Sequence, residues 1–495
     1  MPLITGIIAD GHNPYTFPFQ PQAADVYPPL YNIIVAPLSG LFGNTFALHR
    51  SVSAVFIFIA VGLCYFATYK STESRQHGAA AGVLLYAALL FYGTPVASTN
   101  ALGVALFLAG VIVPWHWRFS TKSLLFGLVC GLLAFYTKQY FIVGIATLCL
   151  YLFLYVSMYR ALLLGVLYAA SLLISVAIVH ATSPYYLDNT FFSPSVAFKG
   201  LQNWSILLLQ LRVFVTTYSG LLAIIIISTV AAFYGIRGAA SPSPAVTLFS
   251  FSKSGFSGPL LARKADFFFF CLLWSTLVVV FALGRNPGNY MTYLFQLMSP
   301  FLLIVGFRSL ARLPGKLTVI SPLVLVCFFQ SYAILKKDFS TDLHNWEKME
   351  HLVSNAEQVL ATQMLVMMLL EQGKDVHQDG HTFYFPLASE KPKLFLKEKK
   401  SERVSTIWRN YMTRLYKNIR RQEFDLILVS PWEMRGIFGR NPPPFKDITG
   451  RKFLERYYRV KETITLSMTD RYGAGSYDIQ VWQPRAQIRP QKRLP

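Results

Sequence analysis

Long apolar runs recur along the first two-thirds of the chain, and short polar connections separate them. About twenty apolar residues in a helix are needed to cross the hydrocarbon core of a bilayer. Runs of this kind predict ten spans, near residues 50–69, 79–96, 98–116, 121–137, 138–157, 160–181, 212–234, 266–284, 289–307 and 317–335. The sequence therefore predicts an α-helical polytopic membrane protein.

Residues 28–43 are also apolar but are too short to span a bilayer with ease. They begin with Pro28-Pro29 and contain Pro37. Proline is tolerated at the start of a helix, whereas an internal proline bends or breaks it. This segment predicts a helix at the membrane interface rather than an eleventh span. We expect residues 1–49 to form an external loop that ends in this juxtamembrane helix.

The pattern changes near residue 336, where helix-period and alternating segments replace the apolar runs. One helical stretch is predicted at 346–372 and a basic helix near 402–421. Short β-rich stretches predict strands at 382–386, 424–430, 463–468 and 477–482. We therefore expect a transmembrane domain over residues 50–335, followed by a small soluble α/β domain over residues 336–495.

Charged residues divide the chain at the same place. Residues 1–335 hold five carboxylates and 17 Lys or Arg, whereas residues 336–495 hold 19 and 28. Twelve of those 17 basic residues fall in the odd-numbered connections between predicted spans, which the positive-inside rule assigns to the cytoplasm. The first 49 residues and the C-terminal domain are then expected on the non-cytoplasmic face. The membrane is expected to be a bacterial inner membrane. Topology thus explains the net charge of +21, and no nucleic-acid partner is expected.

An external N-terminus needs a segment that delivers it across the membrane. Residues 1–28 contain neither a signal peptide nor a span. We therefore expect one more transmembrane helix to be encoded upstream of Met1.

Candidate catalytic carboxylates are few on the external side. Only Asp10, Asp25 and Asp188 are predicted there, and the first two flank an aromatic, proline-rich segment. A segment with so restricted a backbone can form a fixed lip above the bilayer. Asp10 and Asp25 are therefore the predicted catalytic residues. The alternative is structural, because Asp10 precedes a glycine as at the start of a turn and Asp25 precedes a proline-rich helix as a cap does.

Two cations fall in outer connections, where the positive-inside rule would not place them. Lys138 lies between two apolar runs, within reach of a lipid phosphate, and Arg285 occupies another external loop. The alternatives are a snorkelling lysine and an ordinary interfacial anchor. The predicted substrate and phosphate-binding residues are Lys138, Arg285, Tyr27, His12, Asn289 and Tyr290.

Metal and cofactor chemistry has no support in the sequence. All five cysteines fall inside apolar runs, and the acidic and histidine residues show no metal-ligand spacing. No Walker A motif is present, and no GxGxxG follows a strand. A carboxylate that deprotonates an acceptor hydroxyl, beside cations that stabilise a leaving phosphate, requires no cofactor.

The segment from Val26 to Phe56 resembles the external-loop signature of GT-C glycosyltransferases, the class that includes protein O-mannosyltransferases and the aminoarabinose transferase of lipid A. The matching elements are Pro28-Pro29-Leu30, Leu41-Phe42-Gly43, Arg50 and Ser53, with GHNPYT before them and the TKQ at Lys138 after them. This resemblance covers roughly residues 6–140 and is moderately specific.

The resemblance implies transfer of a sugar from a polyprenyl-phosphate donor to a lipid, glycan or protein acceptor on the non-cytoplasmic face. An external Asp is the base in that class and usually lies upstream of the proline-rich element. It would be lost with the expected upstream helix, which would leave this chain inactive unless Asp10 or Asp25 replaces it. The basic residue that precedes the two prolines in the class is also unmatched, since Tyr27 stands there, so Lys138 and Arg285 would contact the phosphate.

Two other functions fit the same composition. A transporter or flippase would show inverted repeats and ionisable residues near mid-membrane, whereas the charges here lie at the ends of spans. A non-catalytic scaffold would use the basic helix at 403–421, whose charges also fit a simple solvated face.

Overall fold

A computed structural model describes residues 2–16, 19, 27–89, 99–192, 204–219, 221–222, 226, 258–284, 293–311, 340–361, 365–377, 398–431, 450–468 and 475–485. Its N-terminal part begins with a short helix, α1 (Pro2–Ala9), and the predicted interfacial helix, α2 (Leu30–Phe42). The helices that follow form the apolar bundle: α3 (Phe46–Thr72), α4 (Arg75–Ala88), α5 (Thr99–His116), α6 (Thr121–Phe135), α7 (Ile142–Tyr155), α8 (Met158–Thr182), α9 (Trp204–Thr217), α10 (Gly258–Leu283) and α11 (Ser299–Leu310).

Three of the described helices, α3, α5 and α8, are long and apolar enough to cross a membrane. In the other bundle helices the described apolar stretch is shorter, at 10–17 residues, as in Phe267–Leu283 of α10. They correspond to predicted spans, which confirms a polytopic helical membrane protein. The predicted span 317–335 and most of 212–234 lie outside the described residues.

Helix α5 occupies the centre of the bundle, because 78% of the residues in its apolar stretch are buried. Helix α8 lies at the edge, where 11% of the corresponding residues are buried. Small residues let the central helices approach closely, since a Cβ at Gly127 of α6 would lie 2.8 Å from the carbonyl oxygen of Gly110 in α5. Small residues at helix contacts are typical of membrane proteins, where close backbone packing replaces the hydrophobic drive. The apolar side chains that α8 exposes, such as Leu173 and Ile174, face outward as lipid-contacting residues do.

The C-terminal region forms a small α/β domain. Its helices are α12 (Ser340–Ser354), α13 (Val366–Glu371), α14 (Glu398–Arg420) and α15 (Gly450–Tyr457). Its strands are β1 (Val359–Ala361), β2 (Leu426–Val429), β3 (Tyr458–Met468) and β4 (Gly475–Pro484), in the order β1-β2-β4-β3. Strands β1 and β2 are parallel and the other pairs are antiparallel.

Each face of this sheet has its own hydrophobic core. Tyr416, Phe453 and Trp482 belong to the core that α14 and α15 cover. Met349, Met368 and Ile479 belong to the core on the other face, under α12 and α13.

One sequence prediction for this domain is wrong. The stretch 346–372 is not one helix, because α12 ends at Ser354 and residues 359–361 form strand β1 before α13 begins. The side chain of Asp425 explains the break, since its Oδ2 accepts from the backbone N–H groups of Glu357 (2.9 Å) and Gln358 (3.0 Å). The basic helix and the last three predicted strands are confirmed, whereas the strand at 382–386 lies outside the described residues.

The domain contacts the same end of the bundle as the N-terminal segment. The backbone N–H of Phe46, at the start of α3, donates to Oε1 of Glu371 at 3.0 Å. The ring of Phe46 also lies 6.4 Å from that of Trp346. A carboxylate at a helix N-terminus satisfies an exposed donor and complements the helix dipole.

Candidate functional site

The turn that joins α6 to α7 presents Lys138 at this end of the bundle. The backbone N–H of Lys138 donates to the carbonyl oxygen of Ala134 (3.0 Å), and its own carbonyl accepts from Phe141 (3.2 Å). The residue is 7% exposed. Gly103 of α5 makes room for this turn, because a Cβ there would overlap the ring of Phe141 and the hydroxyl of Thr137. A lysine is therefore held by packing in a position with little access to water.

Two aromatic rings surround the ammonium group. Lys138 Nζ lies 4.5 Å from the centre of the Tyr27 ring and 5.8 Å from that of Tyr140. Both distances fall within the range in which a ring face attracts a cation. The structure thus brings together two residues that the sequence assigned to the same substrate site.

The proline-rich segment is fastened to the same turn by its backbone. Leu30 N–H, at the start of α2, donates to the carbonyl oxygen of Tyr136 (3.2 Å). The hydroxyl of Tyr15, a residue only 2% exposed, donates to the carbonyl oxygen of Tyr27 (2.9 Å). These contacts fix Tyr27 relative to Lys138.

A third segment, between α8 and α9, completes the site. Asn13 Nδ2 donates to the carbonyl oxygen of Thr182 (3.0 Å) and to Ser183 Oγ (2.8 Å). On the other side, Gln139 Nε2 donates to the carbonyl oxygen of Thr190 (3.0 Å). Residues 182–190 are therefore held between the N-terminal segment and the Lys138 turn.

This third segment carries Asp188, which the sequence places among three external carboxylates but outside the two predicted to be catalytic. Asp188 begins a short π-helix, Asp188–Phe192, and is 3% exposed. Its neighbours Asn189 and Thr190 are equally buried. Burying a carboxylate is costly, so a protein that retains one at such a place usually has a use for it. The available signal was the polar run Asp188–Thr190 among aromatic residues.

The remaining sequence candidates are less well placed or lie elsewhere. Asp10 is exposed in a turn after α1, where its N–H donates to the carbonyl oxygen of Gly6 (2.9 Å). His12 is exposed, with its ring 5.6 Å from that of Phe19. Four predicted residues lie outside the described part of the chain: Asp25, Arg285, Asn289 and Tyr290.

Burial raises the pKa of the Tyr186 phenol in the segment between α8 and α9. Within the described ranges, no three His, Cys, Asp or Glu side chains cluster as metal ligands would.

Sequence comparison is uninformative for this chain, because no family model and no curated protein matches it. Comparison with solved structures does give a match. The crystal structure of ArnT from Cupriavidus metallidurans bound to undecaprenyl phosphate superposes on 97% of this chain and 92% of the ArnT chain, with a TM-score of 0.57 and 12% sequence identity. The chain has the ArnT fold. The resemblance to the GT-C class is thereby confirmed at the level of the fold.

The ArnT fold accounts for the architecture of bundle and C-terminal sheet together, because the superposition extends over nearly the whole chain. At this level of identity a shared fold does not specify the reaction. The chemistry has to follow from the residues at the site.

Proposed function

We propose that this protein is a membrane glycosyltransferase that takes a sugar from a polyprenyl-phosphate donor. The observation that carries the proposal is Lys138, a cation buried among aromatic rings at the end of an apolar bundle. Undecaprenyl phosphate is the molecule bound in the ArnT crystal structure, which has the same fold. A lysine in this position suits the phosphate of such a lipid, whose prenyl chain would remain among the apolar helices.

The reaction that we propose is a single displacement. An acceptor hydroxyl attacks the anomeric carbon of the sugar, so that a new glycosidic C–O bond forms while the bond between that carbon and the phosphate oxygen breaks. The electron pair leaves with the polyprenyl phosphate, whose charge Lys138 stabilises. The hydroxyl proton passes to a carboxylate acting as general base.

Three carboxylates are candidates for that base. Asp10 and Asp25 are the residues predicted from the sequence. Asp188 has the better supported position, because its segment is bonded to Gln139, the neighbour of Lys138. We propose Asp188 as the base that receives the proton.

The positions of the basic residues support an extracytoplasmic site. Arg160, at the start of α8, donates from Nη1 to the carbonyl oxygen of Phe119 (3.4 Å), which joins the α5–α6 and α7–α8 connections at one end of the bundle. Lys70, Arg75 and Lys122 lie in terminal helical turns next to the α3–α4 and α5–α6 connections, and the ring of Phe66 near the end of α3 contacts that of His116 at the end of α5. The positive-inside rule makes this end of the bundle the cytoplasmic end. We infer that Lys138 and the C-terminal domain face the opposite, extracytoplasmic side of an inner membrane, where a lipid, glycan or protein acceptor would bind.

Transfer of a labelled sugar tests the proposal. Membranes that contain the protein are supplied with polyprenyl-phosphate-linked sugars, and the label recovered in lipid, glycan and protein fractions is measured. Removing a cation that stabilises a leaving phosphate is expected to reduce transfer about 100-fold or more, so Lys138→Ala should be nearly inactive. Lys122→Ala, an exposed lysine at the other end of the bundle, is the matched control. Absence of transfer by the unaltered protein from every donor would favour a transporter or a scaffold.

A further inference from the structure

Tyr185 belongs to two parts of the molecule at once. It lies in the connection between α8 and α9, three residues before Asp188. Its side chain is nevertheless part of the hydrophobic core of the C-terminal domain, together with Leu360, Leu415 and Trp482. With 3% of its surface exposed, Tyr185 is as buried as the residues of that domain.

The backbone of Tyr185 is bonded to the candidate site. Its N–H donates to the carbonyl oxygen of Tyr15 (3.2 Å), and its carbonyl accepts from the N–H of Asn189 (2.9 Å). The ring of Tyr186 packs edge-on against that of Tyr15 at 5.4 Å. The main chain at Tyr185 therefore belongs to the framework of the site, whereas its side chain belongs to the other domain.

Two short chains of contacts lead from Tyr185, one to the Lys138 ammonium group and one to Asp188. Tyr15 donates from its hydroxyl to the carbonyl of Tyr27, and the ring of Tyr27 lies against Lys138. On the other branch, Asn189 follows Asp188 directly and its N–H is held by Tyr185. A displacement of Tyr185 would therefore change the positions of both the Lys138 ammonium group and the Asp188 carboxylate.

We propose that Tyr185 is a positioning residue through which the C-terminal domain holds the Lys138 and Asp188 segments in register. The aromatic side chain of Tyr185 packs among apolar residues of the C-terminal domain that include Leu360, Leu415 and Trp482, and these residues form what we call the socket. Packed cores resist small deformations because their side chains interdigitate without free volume. The role in turnover rests on the proposed function, whereas the mechanical link does not.

Hydrogen–deuterium exchange of the full chain in detergent tests the link directly. Tyr185→Ala should raise exchange of the backbone amides of residues 183–192, apart from Pro184, by about tenfold or more, as expected when a local contact is lost. Tyr185→Phe keeps the ring and should exchange as the unaltered protein does. Leu415→Ala alters the socket from the other domain and should give the same rise, so the link remains testable if Tyr185→Ala does not fold.

Ile464→Ala is the matched control. Ile464 is buried in the core on the opposite face of the sheet, so this change destabilises the domain without touching the socket. It should leave the 183–192 amides protected below the unfolding temperature of the domain. An equal rise in Ile464→Ala would indicate general destabilisation and overturn the proposal, as would unchanged exchange in Tyr185→Ala.

Sugar transfer supplies the second readout. Tyr185→Ala should lower kcat about tenfold, whereas Tyr185→Phe, which keeps the aromatic ring, should lower it much less. Full kcat in Tyr185→Ala would overturn the positioning role even if exchange rose. Should the unaltered protein transfer no sugar, the proposed function fails, and the exchange experiment still decides the link between the domains.

Discussion

The ammonium group of Lys138 lies 4.5 Å from the centre of the Tyr27 ring. Tyr27 occupies the position where the GT-C resemblance leads one to expect a basic residue, directly before Pro28 and Pro29. The α6–α7 turn therefore places a positive charge beside this ring, from a segment more than a hundred residues further along the chain.

The ring of Tyr27 should matter to the affinity for the lipid-linked donor. A cation–π contact contributes about 0.5–2 kcal/mol, depending on how far it is shielded from water. We therefore predict that Tyr27→Ala raises the KM for the donor by about 2–30-fold, whereas Tyr27→Phe, which retains the ring, changes it little. A comparable increase in both variants would show that the hydroxyl, and not the ring, is required.

Gly103 should be intolerant of even one additional carbon. A Cβ there would overlap Phe141 and Thr137, the residues on either side of the Lys138 turn. Overpacking of this kind costs about 1–3 kcal/mol, so Gly103→Ala should lower both the thermal unfolding midpoint and sugar transfer. Gly62→Ala is the control, because a Cβ at Gly62 has nothing within 4 Å. Equal stability and activity in the two variants would mean that the turn is not tightly packed.

Asp188→Asn should separate turnover from binding. If Asp188 is the general base, its loss lowers kcat by about 10²–10⁴ and leaves the affinity for the donor unchanged. Asp10→Asn and Asp25→Asn, measured in parallel, test the two carboxylates predicted from the sequence. A parallel loss of donor affinity in Asp188→Asn would instead assign this residue a structural role in shaping the donor site.

The stability of the C-terminal domain should fall in mild acid. Burial lowers the pKa of His377, with a smaller opposing effect of Asp375 and a lowering effect of Arg414. The pKa of His377 in the folded state lies below its unfolded value of about 6.5. Its contribution to the free energy of unfolding is therefore fully present above about pH 6.5 and declines as the pH falls toward the folded-state pKa.

Scanning calorimetry between about pH 7.5 and pH 5 checks this expectation. The unfolding midpoint should decrease across that range in the unaltered protein and decrease less in His377→Gln. An identical slope in both proteins would exclude His377 as the cause.

The sequence predicts best what depends on neighbours along the chain. Apolar runs long enough to cross a bilayer locate helices such as α3, α5 and α8, since span length is set by the membrane. Strand β1 was missed because it has only three residues and its partner, β2, lies more than sixty residues further on. The start of this strand is fixed by Asp425, a contact that no local pattern reveals.

The residues of the candidate site also differ in how far the sequence alone reveals them. Lys138 stands out in the sequence because a cation between apolar runs is unusual. Asp188 does not, because its burial depends on distant contacts, from Asn13 to Ser183 and from Gln139 to Thr190. Its selection as a site residue therefore required the folded structure.

Binding of undecaprenyl phosphate to the purified protein tests the central claim most directly. Native mass spectrometry in a mild detergent counts bound lipids, and titration gives the affinity. We predict that the unaltered protein and Lys122→Ala bind this lipid with equal affinity, whereas Lys138→Ala binds it at least about tenfold more weakly, as expected when a charge-assisted contact is lost. Equal affinity in Lys138→Ala and the unaltered protein would contradict the assignment of this turn as the phosphate site.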